Sequence, residues 1–221
     1  MKKLMVMLVA LGLVSGCAAA QYNEEAGRAA KQQAAEKGDA EAQNSLGLMY
    51  QKGEGAPQDD REAVKWFRKS AAQGHYLAQH NLGEMYAQGR GVQKNNRTAM
   101  EWFKKAAAQG HVWAQHNLGV MHLQGDGVPE NYHTAAEWFH KAATQGHRPS
   151  QDALTLIVEG WKKAAAQGEA WAQHNLGLIY FKGYGVPQND RTAVEWLQKA
   201  AAQGHKPSQD ALIAIMKRGR M

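Results

Sequence analysis

The chain holds one cysteine, Cys17, in 221 residues, which excludes an intramolecular disulfide framework. Long apolar runs are also missing. The stretch from Leu4 to Leu13 supplies about ten apolar residues where roughly 20 are needed to cross a bilayer, so no transmembrane helix is expected. The net charge is +6, but lysines, arginines and acids are interspersed rather than gathered in a basic stripe, so the electrostatic footprint of a nucleic-acid binder is lacking. Lys217, Arg218 and Arg220 read as a solvated end. None of Ser45, Ser70, Ser150 or Ser208 is followed three residues later by lysine, and no His-Glu-x-x-His occurs. Without an activating base beside a nucleophile, catalysis is not expected.

At the start, Lys2 and Lys3 precede the short apolar run, which ends in Val14-Ser15-Gly16-Cys17. A charged head and a short apolar segment make a secretory signal. The last four residues resemble the lipobox of bacterial lipoproteins. That resemblance implies a signal peptide over residues 1–16, cleavage before Cys17, acylation of Cys17, and a short tether over residues 17–22. Two or more acyl chains hold a protein stably on a membrane. By the same resemblance Ala18, standing where aspartate would retain a lipoprotein in the inner membrane, favours the outer membrane, facing the periplasm.

A period of 36 residues organises the rest. Leu46, Leu82 and Leu118 keep it, as do Gly74, Gly110 and Gly146, and the series resumes with Leu176 and Gly204. Each copy divides into two helical patterns. In helix A, Ala42, Leu46, Met49 and Tyr50 make one stripe at helical spacing. Gly47, Gly83, Gly119 and Gly177 sit inside that helix at a cost of about 1 kcal/mol each against alanine, so another helix is expected to approach too closely for a side chain. In helix B, Ala63, Trp66, Phe67, Ser70 and Ala71 repeat the spacing, and Gly74 closes the helix. Between them lie Gly53-Glu54-Gly55 and its counterparts, followed by Asp59, Asn95, Asn131 and Asn189 where a helix N-cap is wanted. No alternating strand pattern precedes these glycines, so they are not nucleotide loops.

The run of Leu-Gly-x-x-Tyr, Gly-x-Gly-Val-Pro, Ala-x-x-Trp-Phe and Ala-Ala-x-x-Gly-His, spread from about residue 38 to 204, resembles the Sel-1-like repeat family, relatives of tetratricopeptide repeats. The resemblance implies an all-α, right-handed α-solenoid of helix-turn-helix units used for protein interaction. Physics points the same way, since one helix pair cannot bury its apolar face alone. The expected layout is an N-terminal capping helix over residues 23–38, three repeats over 39–146, a truncated unit over 147–168, a fourth full repeat over 169–204, and a C-terminal capping helix and tail over 205–221. The truncated unit follows from a tandem duplication. Residues 103–160 match 161–218, so an old C-terminal cap was carried inside, and a shortened or bent unit is expected near Gly160.

In tetratricopeptide-like stacks helix A lines the concave face, which makes its non-core side the expected partner surface. The positions are Glu41, Asn44, Leu48 and Gln51, then Leu77, His80, Glu84 and Ala87, then Trp113, His116, Val120 and Leu123, then Trp171, His174, Leu178 and Phe181. A second apolar stripe on a helix that already has a core stripe reads as a contact site. Against that stands the alternative that Trp113 and Trp171 merely cover the neighbouring repeat. Ten histidines suggest a metal, but packed helices lie roughly 10 Å apart while zinc needs each nitrogen at about 2.1 Å, so capping or packing is the expected role and neither metal nor cofactor is assigned. The expected function is a membrane-anchored scaffold for an unidentified protein partner. Two further readings are carried from the resemblance: an immunity protein against a secreted toxin such as a phospholipase, and a β-lactam hydrolase, which the missing cysteines and Ser-x-x-Lys oppose.

Overall fold

The computed structural model describes residues 27–55 and 57–217, and every regular element there is helical. Eleven helices follow one another: α1 (27–36), α2 (Ala40–Lys52), α3 (Asp60–Ala72), α4 (Tyr76–Gln88), α5 (Asn96–Ala108), α6 (Val112–Gln124), α7 (Tyr132–Ala143), α8 (Arg148–Ala166), α9 (Ala170–Lys182), α10 (Asp190–Ala202) and α11 (Lys206–Lys217). None is long and apolar enough to cross a membrane. The signal, Cys17 and the tether fall outside the described residues. The described residues form two compact units, divided between Ala106 and Ala107.

Local chemistry sets the boundaries. The Asp59 carboxylate accepts from the backbone N–H groups of Arg61 and Glu62, and the Asn131 and Asn189 amides accept from Thr134 and Thr192 at 2.9 Å, so each of these B helices starts on a side-chain cap. Each helix A stops at a left-handed glycine, as at Gly53 (φ 74°), whose N–H returns to Met49 O. The second glycine of the turn serves packing instead. A Cβ on Gly91 would lie 2.2 Å from Asp60 O, so only glycine lets the turn rest on the start of α3.

The expected close approach inside helix A is present. A Cβ added to Gly47, Gly83 or Gly119 would stand 2.6 Å from Phe67, Phe103 or Phe139, and one on Gly177 would stand 2.5 Å from Leu197. The glycines give up helix propensity and let a phenylalanine or leucine side chain of helix B lie against the bare backbone of helix A. These residues are the core: Phe67, Leu82, Phe139, Leu118, Leu176 and Leu197 are all below 2% exposed.

A polar ladder accompanies the apolar one. The Gln43 side chain donates to Ala35 O at 3.0 Å, Gln79 to Ala71 O, Gln115 to Ala107 O and Gln173 to Ala165 O. Each of these last-turn carbonyls also accepts from the backbone N–H of the glycine three residues on, so the amide adds a second bond that ties one helix to the next. A second glutamine completes the rung: Gln73, Gln145 and Gln203 donate to Gln43, Gln115 and Gln173 at 2.8 Å. On helix B, Lys69, Lys105, Lys141 and Lys199 lie 4.0 to 4.2 Å over the rings of Trp66, Trp102, Trp138 and Trp196, three residues earlier.

Of the shortened or bent unit expected in the duplicated segment, the structure has the shortening, one helix in place of a pair, and no bend. Residues Arg148–Ala166 form one continuous helix of 19 residues, with Gly160 exposed in its interior and nothing within 4 Å of a Cβ placed on it. Leu154, Val158, Trp161 and Ala165 fall at i, i+4, i+7 and i+11, one stripe that is buried throughout. Without a turn between them, the half helix A and half helix B simply share an axis. α8 packs against both α7 and α9, and Leu154 occupies the space a Cβ on Gly185 would need.

Candidate functional site

The helix-A positions read as a partner surface divide sharply once folded. In the first unit, Leu77 is half-buried, and His80 is only 9% exposed, tilted against Phe103 with ring centroids 5.7 Å apart. His80 Nε2 lies 3.7 Å from Glu84 Oε1. Burial lowers the His80 pKa and raises that of Glu84, the latter against the pull of Arg90, so both shifts move the pair towards its uncharged forms. Arg90 itself is committed elsewhere, gripping both carboxylate oxygens of Asp60 at 2.7 and 3.1 Å.

In the second unit the correction is larger. Val120 and Leu123 pack against the cluster formed by Phe139, Leu154, Trp161 and Ile179. Phe181 is 5% exposed, in a cluster with Ala193, Leu197 and Ile215. Phe181 offers no free surface, and Val120 and Leu123 are half-buried. A stacked helix has two apolar neighbours, its own helix B and the next pair, so two apolar stripes are what packing alone requires. Leu48 shows the same fate in the first unit, lying against the cluster built from Phe67 and Leu82. Leu178 is half-buried.

What remains exposed is aromatic. Trp113 is 53% exposed, Trp171 45% and Tyr132 40%. Trp171 and Tyr132 lie 6.4 Å apart, and Trp113 stands edge-on to His147 at 4.5 Å. The helices bearing the two tryptophans are almost free of charge: α6 (VWAQHNLGVMHLQ) carries no Asp, Glu, Lys or Arg, and α9 (AWAQHNLGLIYFK) carries only Lys182. Leaving aromatic area of this size in water is unfavourable.

The histidines act as caps and clamps. His75 Nδ1 accepts from the Ala78 N–H at 3.3 Å and His111 Nδ1 from the Ala114 N–H at 3.2 Å. At the equivalent places in α8 and α11 the third residue is serine. There Nδ1 of His147 and Nδ1 of His116 both bond Ser150 Oγ, at 2.8 and 2.9 Å, and His205 and His174 both bond Ser208 Oγ at 2.9 Å. The sequence held this signal in His147-Arg-Pro-Ser150 and His205-Lys-Pro-Ser208, but the partner imidazole comes from another helix. A serine between histidines suggests a nucleophile, yet both serines have 0% exposure, so no substrate atom can reach either. Among the described residues no three histidine, aspartate or glutamate side chains are grouped to hold a metal ion.

Helix pairs with side-chain-capped B helices, a bare glycine backbone under an aromatic ring, and an exposed aromatic face define an α-solenoid repeat protein of the interaction-scaffold class. The chain belongs to the Sel1 repeat family, whose pattern matches residues 40–75, 77–111, 114–147 and 172–205. The gap between the last two matches coincides with α8. Among solved structures, a protective antigen of uropathogenic Escherichia coli with this fold is 35% identical over 86% of the chain, with a TM-score of 0.56. A Sel1 repeat protein from Oxalobacter formigenes is 33% identical over 84%, with a TM-score of 0.55. The chain spans 44% and 57% of those two proteins. The DAP3-binding cell death enhancer 1 of Rattus norvegicus is 43% identical over 49 residues, covering 22% of this chain and 10% of that protein. Proteins of this family are in general scaffolds for protein–protein contact.

Proposed function

We propose that the chain is a lipid-anchored scaffold of the bacterial cell envelope that docks a protein partner on the face carrying Trp113, Tyr132 and Trp171. The observation behind this reading is the exposure of these rings beside helices nearly without charge. Such a face suits a segment with apolar or aromatic anchors, with the Glu130 carboxylate beside Tyr132 at its edge. The anchor is Cys17, by its Val-Ser-Gly-Cys setting. With roughly 3.5 Å per residue of extended tether, the repeats would begin within a few tens of ångströms of the membrane, which suits a partner held at or near the same surface.

The docking reading is tested by photo-crosslinking in intact cells. A crosslinking residue placed at 113 or 171 is expected to give one discrete protein adduct, while placement at exposed Glu159 on α8 gives none. Equal, diffuse labelling at all three positions overturns the reading. The anchor is tested by labelled palmitate, which the wild type should incorporate and Cys17→Ser should not.

A further inference from the structure

One imidazole–hydroxyl–imidazole clamp touches Trp113, which stands edge-on to His147 at 4.5 Å, and the other contains His174, one helical turn after Trp171. Each serine hydroxyl has one proton to give and lone pairs to accept with. With both imidazoles neutral, one Nδ1 accepts the serine O–H and the other donates its N–H to the same oxygen. A proton added to the accepting Nδ1 turns it into a donor. Two imidazole N–H groups then converge on one fully buried oxygen, and the serine O–H loses its acceptor. The ring centroids are 4.9 Å apart in both clamps, so a second proton would set two cations against each other.

The surroundings offer little to soften this. The charges acting on the rings come from other imidazoles: His147 on His116, and His205 and His133 on His174. His133, on α7, is itself under opposing pulls from Glu137 of its own helix and Lys182 of α9. From α7 the neutral Phe139 faces His116 at 5.4 Å. Arg148 and Lys206 follow the two capping imidazoles but are exposed, and Lys206 is paired with Asp210 at 3.2 Å.

We propose that these clamps are an acid-release device: protonation of their imidazoles unfastens the first turns of α8 and α11 from α6 and α9, and so loosens the face that carries Trp113 and Trp171. The direction of titration agrees. Burial first, and neighbouring imidazoles second, hold His116 and His174 below the ordinary 6.5, His174 at about 4, and burial lowers His147. The clamps are therefore closed at neutral pH and open as pH falls through that interval. Control of docking by this device rests on the reading proposed above, while the clamp response itself does not.

The chain supplies its own control residue. The first copy carries Asn44 where later copies carry His116 and His174, and Asn44 is buried at 4% while accepting from Asn81 at 3.0 Å. The variant His116→Asn with His174→Asn therefore puts an accommodated, non-ionising side chain in both places. Hydrogen exchange of the full chain, corrected for intrinsic rates, is compared at pH 7.5 and about pH 4.5. In the wild type, amides of 148–158 and 206–215 are expected to lose about tenfold or more protection, and those of α3, capped by Asp59, about threefold or less. In the double variant the loss at 148–158 and 206–215 should shrink to that of α3. An equal loss in wild type and variant, or no loss in the wild type, overturns the proposal. Should the variant not fold, Ser150→Ala with Ser208→Ala serves, since Ala78 and Ala114 occupy that place under His75 and His111. A missing crosslink at 113 or 171 with this acid response intact would reject the docking reading alone.

Discussion

Phe139 occupies the space that a side chain on Gly119 would need, its ring lying 2.6 Å from where a Cβ would stand. Alanine at 119 gains about 1 kcal/mol in helix propensity. It also forces a ring that is 1% exposed out of its well. Overpacking of that kind typically costs about 1–3 kcal/mol, which outweighs the gain. Gly119→Ala is therefore expected to lower the melting temperature of the full chain. An unchanged or raised value would show that α6 and α7 are not in contact there.

Gly160 makes the opposite case. It is helical, exposed and open on all sides, so Gly160→Ala should stabilise the chain by about 0.5–1 kcal/mol in urea denaturation. A loss of stability would mean that the backbone turns at this point instead of continuing as α8.

Gln115 carries one rung of the polar ladder and is 6% exposed. Removing its amide in Gln115→Ala takes one of two donors from the Ala107 carbonyl, which keeps the Gly110 N–H at 3.0 Å, and takes the acceptor from the exposed Gln145 side chain. The expected cost is about 0.5–1.5 kcal/mol, whereas exposed Gln124→Ala should stay below about 0.5 kcal/mol. Similar losses for the two, read from thermal melts, would show that the ladder adds nothing to stability.

Acid should weaken the fold as a whole, and the sign follows from the histidines. His174 is held at about 4 and His116 is also lowered, in both cases by burial before neighbouring imidazoles. Between 6.5 and about 4 the unfolded chain binds protons that the folded chain refuses. The stability these groups contribute is complete above 6.5 and is lost as pH falls towards 4. Melting temperatures measured across that interval should decline steadily, and a flat profile would show that the imidazoles take up protons freely in the folded state.

Much of the fold was legible in the spacing alone. Leu46, Gly47 and Phe67 recur in step because each copy solves the same packing problem, and the cost of an interior glycine predicts the close approach seen against Phe67, Phe103 and Phe139. The exposure of the helix-A positions was legible only in part. Trp113 and Trp171 stay exposed, but Phe181 and His80 are buried and Val120 and Leu123 are half-buried against the core. A helical wheel shows which residues are apolar, not how many neighbours the helix has.

By itself, then, the amino-acid order determined the period, the two helices of each copy, their caps and the residues of the core, because these depend on contacts within about one repeat. Tertiary structure alone decided that half of one pair and half of another would run on as α8, whose single buried stripe lies on a helix packed against both α7 and α9. It also decided that His116 and His174 would meet serines 34 residues away, a distance along the chain that no helical spacing can bridge.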